Sequence, residues 1–258
     1  MIPLNNAKVL FVDLETAPIL GWTWAMWETN VLAVKKDWYI LSFVAKWQGS
    51  NKIISSSLPD FVGFKKDKED DSGVVGELWK LFDEADVVIA HNGDAFDFKK
   101  ANARFIVHGF TPPTPYKTVD TKLVAKRYFK FDSNSLDELG RYLGLGRKES
   151  TGGFKTWLDC MAGDMVAWKR MMKYNKQDVV LLEKIYDRLR PYMTNHPNLG
   201  LIQDRPETCP ICGEHGTLQA RGFSITRISR KRRYQCAGDE GCGGWSTGKA
   251  EKTGITIR

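Results

Sequence analysis

A chain of 258 residues with 42% apolar and 27% charged side chains can bury a full core and carry a small appendage, which excludes a disordered or fibrous protein. No stretch reads as a membrane span, and MIPLNNAKVL lacks the layout of a secretion signal, so a cytoplasmic location with reduced or metal-bound cysteines is expected. The net charge of +7 is lopsided: Arg205 to Arg258 holds ten Lys/Arg against five Asp/Glu, and a basic tail on a nearly balanced body points to a polyanionic partner.

The first element is KVLFVDLET, Lys8 to Thr16, where apolar residues run straight into Asp13, Leu14 and Glu15. Such a run reads as a strand buried on both faces, and strand alternation puts Asp13 and Glu15 on one side. Two carboxylates at the end of a buried strand repel each other and are poorly solvated, a conflict that a divalent cation relieves. A strand fraying into a polar loop is the ordinary reading of an isolated D-x-E. APILGWTWAMWETN follows, with Trp22, Trp24 and Trp27 close together. Pro18 and Gly21 argue against continuous regular structure there, so these rings are expected to pack a long connection into the core, with stacking on unpaired bases as the alternative. DWYILSFVAKW and NKIISSS form a hairpin about Gln48-Gly49-Ser50-Asn51, and KKDKEDDSG is a solvated loop.

VVGELWKLFDEAD has helical spacing and leads into a short buried strand, VVIA. HNGDAFDFKKANARFIVHG is a turn running into a helix that ends near Gly109, with Asp94 placed to cap it and Asp97 early in it. TPPTPY is a loop, YKTVDT a short strand whose Asp120 caps the following helix, KLVAKRYFK. SLDELGRYLGLG is a further helix, with Ser135 and Glu138 spaced as a capping box, and GRKESTGGF a flexible connection. From Asp164, an N-cap, a long helical pattern runs to about Arg190 and is ended by Pro191; it carries Tyr174 and Asp178 four residues apart, hence on one face. A strand and hairpin followed by alternating helices and strands predicts an α/β domain on a mixed sheet, residues 1–194. NHPNLGLIQDRPET reads as a linker, 195–207, before a tail of residues 208–258.

D-x-E on the first strand, F-D after a later strand and Y-x-x-x-D on the last helix occur in that order, joined by the HNG turn, VDT before a helix, and SLDELGRYLGL before the last motif. This set resembles the DEDD group of 3′–5′ exonucleases in its tyrosine variant, within the ribonuclease H-like superfamily; proofreading domains of family B polymerases show similar motifs. The resemblance covers Lys8 to Met193. It implies a ribonuclease H-like mixed sheet flanked by helices, hydrolysis of DNA phosphodiesters from a free 3′ end, metal ligands at Asp13, Glu15, Asp97 and Asp178, and a water-orienting Tyr174. The donor chemistry agrees, because carboxylates without His or Cys select hard cations, Mg²⁺ or Mn²⁺, and two such ions can activate water and stabilise a leaving 3′-oxygen. No Ser-His-Asp or Cys-His arrangement offers a rival nucleophile. Asp120 is the main rival ligand, His91 is expected to be structural or substrate-facing, and the Asn92 amide to contact substrate. The alternatives are an inactive nucleic-acid-binding adaptor, which the presence of all five residues counts against, and an RNA-trimming or structure-specific nuclease. A replication or repair protein is the expected protein partner.

The tail holds Cys209-Pro-Ile-Cys212 and, after a long gap, Cys236 and Cys242. C-P-x-C-G is a zinc-knuckle signal because its tight turn lets both thiolates reach one ion, and one structural Zn²⁺ on these four cysteines is expected in a zinc-ribbon-like module. Five residues instead of two separate the second pair, which leaves His215 as a possible substitute ligand. Cys160 is an ordinary thiol. RGFSITRISRKRRYQC reads as a small hairpin that presents Arg230, Lys231, Arg232 and Arg233 to phosphates without reading sequence.

Overall fold

A computed structural model describes residues 7–27, 29–147 and 152–252; part of the connection expected in GRKESTGGF and both chain ends lie outside the described residues. The chain opens with β1 (Val9–Thr16), β2 (Leu20–Trp22), β3 (Ala33–Lys36), β4 (Ile40–Trp47) and β5 (Ile53–Ser57). It continues through α1 (Ser72–Glu84), β6 (Val87–Ala90), α2 (Asp97–Val107), β7 (Lys117–Asp120), α3 (Thr121–Tyr128), α4 (Leu136–Tyr142), α5 (Phe154–Ala162) and α6 (Met165–Leu189). A short α7 (Leu199–Ile202) precedes β8 (Leu218–Ile225), β9 (Ser229–Cys236) and β10 (Trp245–Lys252).

Five strands form one sheet in the order β5-β4-β1-β6-β7, and β2 and β3 pair apart from it. β1 sits at its centre, antiparallel to β4 and parallel to β6, so the expected mixed α/β architecture is present. Alternation along β1 sends Val9 and Phe11 into one apolar layer with Val179, Leu182, Ile185 and Tyr186 of α6. It sends Leu10, Val12 and Leu14 into the other, with Val75, Leu78, Phe82, Phe98 and Phe105 from α1 and α2. Each such side chain contributes about 1.5–3 kcal/mol when fully buried. A slip of one residue would exchange the two layers, so the register of β1 is strongly specified, and with it the side on which Asp13 and Glu15 emerge. Phe11 meets the Tyr186 ring edge-on at 5.4 Å, fixing where α6 crosses β1.

Asp71, wholly buried before α1, ties β4 to α2: it accepts from the Ile40 N–H (2.8 Å) and Arg104 Nε (2.8 Å), and lies 2.6 Å from His108 Nε2. Asp164 caps α6 as expected, accepting from the Val166 N–H at 2.7 Å. Ser135 caps α4, but Glu138 turns forward to Arg141 rather than completing a capping box.

Two elements depart from expectation. The tryptophans do not join the core: Trp22, Trp24 and Trp27 are 56%, 88% and 80% exposed. They sit on the β2–β3 ribbon and its connecting loop, whose backbone bonds close within the ribbon (Leu32 N–H to Trp22 O, 2.8 Å), so the side chains are left to solvent. The second is α5, hidden in sequence by the glycines that bracket it; Gly153 and Gly163 both take positive φ, 72° and 97°, at its ends. Residues 195–207 contain α7, whose Leu199 is buried beneath α6 and donates its N–H to Pro210 O at 2.8 Å. Among the described residues no helix is long and apolar enough to cross a membrane.

Candidate active site and cysteine cluster

β6 ends at Ala90, and its pairing with β1 reaches only Phe11–Ile89. Beyond Phe11 the parallel edge of β1 therefore lacks a strand partner, and its N–H groups need another acceptor. The turn after β6 supplies one. Asn92, at φ 71°, reverses the chain, and α2 begins with Asp97, whose Oδ1 accepts the Leu14 N–H at 3.0 Å. Asp97 is thus fastened to the residue between Asp13 and Glu15. It is 3% exposed, and burial, opposed by the Leu14 hydrogen bond and aided by Asp120, pushes its carboxyl up to about 7. A carboxylate this deeply buried gains from a cation that would offset the cost of its charge, and an all-oxygen donor set fits a hard metal ion.

The fourth candidate carboxylate, Asp178, lies on α6. The buried stripe of this helix is apolar at Ala167, Trp168 and Met171 and again from Val179 to Leu189, but is interrupted by Asn175 and Asp178. Tyr186 meets Phe11, and Asp178 lies eight residues before it, about 12 Å along the helix. The helix passes β1 in the opposite sense: Lys46, opposite Phe11, pairs with Glu183, whereas Ser57, in the register of Glu15, borders Lys173 and Lys176. The polar interruption therefore faces the carboxylate end of β1. Asp178 is 1% exposed, and Tyr174 precedes it by one turn on the same face. Asn175 is wholly buried, and its amide finds no hydrogen-bond partner among the described residues. Sequence reasoning passed over it; a lone amide inside a buried helical stripe was the available signal.

Asp120 has a structural duty. Its Oδ1 takes the N–H groups of Asn92 (2.9 Å), Lys122 (2.9 Å) and Leu123 (3.2 Å), and its Oδ2 that of Asp94 (3.2 Å). It caps α3, as expected, and holds the turn that delivers Asp97. Asp94 does not cap α2: Phe96 occupies the N-cap without a side-chain bond, and the exposed Asp94 turns to the Thr118 side chain. His91 is structural, its ring nitrogens 2.9 Å from Thr121 Oγ1 and 2.9 Å from the Asn134 carbonyl, to which Nε2 donates.

In the tail, the Sγ atoms of Cys209, Cys212, Cys236 and Cys242 all lie within 4.8 Å of one another. Cys209 to Cys242 is 3.8 Å and Cys212 to Cys236 is 3.7 Å. A tetrahedron with Zn–S bonds of about 2.3 Å has edges of about 3.8 Å, so four thiolates at these separations fit zinc. The extra residues of the second pair loop out through Gly238 and Gly241 without disturbing this, and the Cys242 N–H points back at Cys236 Sγ (3.3 Å). Hydrogen bonds from Cys212 and Cys242 hold the Cys209 thiol down, while the same contacts push Cys242 up, as when neighbouring thiols share one site. His215 stays exposed, 3.8 Å from Glu207, and the cysteines converge without it. Cys160 is buried in the apolar layer of Leu10, Val12 and Leu14.

The expected hairpin is β8–β9, extended by β10. Strand alternation splits the four cations that are adjacent in sequence. Arg230 and Arg232 lie over the Phe223 ring at 4.5 and 4.3 Å, and Arg230 also pairs with Glu251. Lys231 and Arg233 emerge on the other face, where Arg233 lies 5.8 Å from the Trp245 ring and lines a groove with Met193 and His196.

Residues 10–190 match the model of a family described as RNase_H superfamily. No curated protein matches the sequence. Among solved structures, the fold is similar to that of the family B DNA polymerase from the hyperthermophilic archaeon Pyrobaculum calidifontis, with 14% identity, a TM-score of 0.51, and coverage of 86% of this chain and 31% of the polymerase. The chain thus spans under a third of that polymerase, and at this identity the likeness is one of fold.

Proposed function

This chain belongs to the ribonuclease H superfamily, and from that premise we propose that it is a metal-dependent exonuclease removing nucleotides from the free 3′ end of DNA. The observation that carries the reading is the hydrogen bond that the Leu14 N–H donates to Asp97, which fastens a third carboxylate to the residue between Asp13 and Glu15 at the end of the central strand. Asp13, Glu15, Asp97 and Asp178 would hold Mg²⁺ or Mn²⁺. Two such ions, when bound, supply the charge that activates water and stabilises the leaving 3′-oxygen. Tyr174 orients the attacking water through its hydroxyl, and the Asn92 amide contacts the substrate.

In this reading residues 1–194 are the catalytic domain, 195–207 the link, and 208–258 a module built on one zinc, whose cations add grip on phosphates. It works in the cytoplasm beside a replication or repair protein. The test is degradation of end-labelled single-stranded DNA, duplex DNA and RNA, with and without Mg²⁺. DNA should shorten from the 3′ end only when the metal is added. Binding without any cleavage would make the protein an adaptor, and preferential loss of RNA would make it a trimming enzyme.

A further inference from the structure

The β2–β3 ribbon has no duty in the reading above, yet its position is specific. Thr16 still pairs with Ile40, and the chain between them leaves the sheet at the end of β1 that carries Asp13 and Glu15. The arm therefore stands beside the candidate catalytic edge, and it is apolar where surfaces are normally polar. Trp22, Trp24, Met26 and Trp27 are each more than half exposed. Such a patch marks an interaction surface.

Cations interleave the rings from the site outward. Phe96 immediately precedes Asp97. Lys100 Nζ stands 5.7 Å from the Phe96 ring and 3.4 Å from the Trp38 ring, at the foot of the arm. Further out, Lys35 Nζ lies 5.8 Å over Trp22. Beyond that come Trp24 and Trp27. Flat π-faces alternating with ammonium groups are what an unpaired nucleic acid strand needs: the rings take bases, the cations take phosphates, and sequence is left unread. The row starts at Phe96, the residue before Asp97, near where the strand to be cut must end. A protein partner would use the apolar rings but gives no reason for the row to begin beside Asp97.

We propose that the arm between Thr16 and Ile40 is a stacking platform for the unpaired 3′-terminal bases of the substrate strand, with Trp22, Trp24 and Trp27 as its outer rings. The proposal rests on the nuclease reading and names the form of substrate that reading leaves open.

Fluorescence anisotropy of a labelled oligothymidylate, with Ca²⁺ in place of Mg²⁺ to prevent turnover, provides the test on the full-length protein. Changing Trp22, Trp24 and Trp27 together to Ala should weaken binding on the order of tenfold or more, since each lost stack removes a base contact. The triple Phe variant should bind within about threefold of wild type, and the triple Leu variant should behave like the Ala one, because only a π-face stacks. Unchanged binding by the Ala variant would overturn the proposal. So would full binding by the Leu variant, or a sedimentation shift from dimer to monomer on changing the three rings, either of which would make the arm an apolar protein interface. Release of p-nitrophenol from thymidine 5′-(p-nitrophenyl) phosphate by the wild-type protein with Mn²⁺ checks the nuclease reading separately. Failure of that reaction with normal oligothymidylate stacking would sink the activity and keep the platform.

Discussion

Two buried aspartates in this fold show how the same side chain serves opposite ends. Asp97 is held by one backbone donor and raised to about 7, so its charge is costly until a cation arrives. Asn in its place keeps an acceptor for the Leu14 N–H and removes the charge. Asp97→Asn should therefore lower turnover by at least about a hundredfold, more than loss of a supporting group around a metal costs, while leaving the melting temperature equal or higher. Turnover within about tenfold of wild type at saturating Mg²⁺ would remove Asp97 from the ligand set. Asp71 is the reverse case. It is fully buried but matched by Arg104, His108 and the Ile40 N–H, so Asp71→Asn strands the Arg104 charge against β4. A loss of about 3–5 kcal/mol in urea unfolding is expected, and under about 1 kcal/mol would show that Arg104 finds water instead. Neither duty could be assigned from residue type. Asp97 stood out in sequence through its neighbours Asn92 and Phe96, whereas Asp71 sat inside a charge run that reads as solvated surface.

At the scale of elements, legibility followed apolar continuity. β1, β6 and α6 declare themselves through unbroken or periodic apolar runs, and these three bring together the candidate site. The β2–β3 ribbon and α5 did not, because Pro18, Gly21, Gly152 and Gly153 signal irregular chain while the structure uses such residues only to enter and leave short regular pieces. The cation cluster of β9 was legible as composition but not as geometry, since the twofold period of a strand was needed to split it. The cysteines were legible as a pair of knuckles, and the structure resolves the odd spacing of the second. Among the described residues only Ile211 and Leu218 join the cysteines in an apolar core, too little to hold three strands. Cys209→Ser should thus reduce bound zinc from about one per chain to almost none and melt β8–β10, while the helical signal of α1 to α6 persists. Near-full zinc content in that variant would show that the other three cysteines and a substitute ligand suffice.

For the whole molecule, the question is how the basic module and the body act as one. Arg233 lines the groove shared with Met193 and His196, and Lys231 lies on the same face of β9, whereas Arg230 is already engaged by Glu251. Replacing Lys231 and Arg233 with Ala should reduce the slope of log affinity against log salt by about 1.4 on a single strand or about 1.8 on a duplex, two phosphate contacts, and Arg230→Ala should leave it almost unchanged. Equal slopes for both would place the nucleic acid elsewhere. The seam itself contains a titratable group. His196 accepts from the Tyr186 hydroxyl at Nε2 (2.8 Å) and donates from Nδ1 to Pro197 O (2.7 Å), a neutral arrangement beneath the cysteine module. Burial is the main cause holding its pKa down at about 4, with Arg190 also opposing a positive charge and Cys212 favouring one. In the unfolded chain the imidazole titrates near about 6.5. Between those values the unfolded state binds the extra proton, so stability is fully present above about pH 6.5 and is lost as pH falls toward about 4. The loss should reach on the order of 1–3 kcal/mol. Denaturant midpoints at about pH 7 and about pH 5.5, above the range where acid strips thiolates from zinc, should show its onset, and His196→Gln should flatten the difference. An equal drop in the His196→Gln protein would assign the acid sensitivity to the zinc thiolates rather than to this seam.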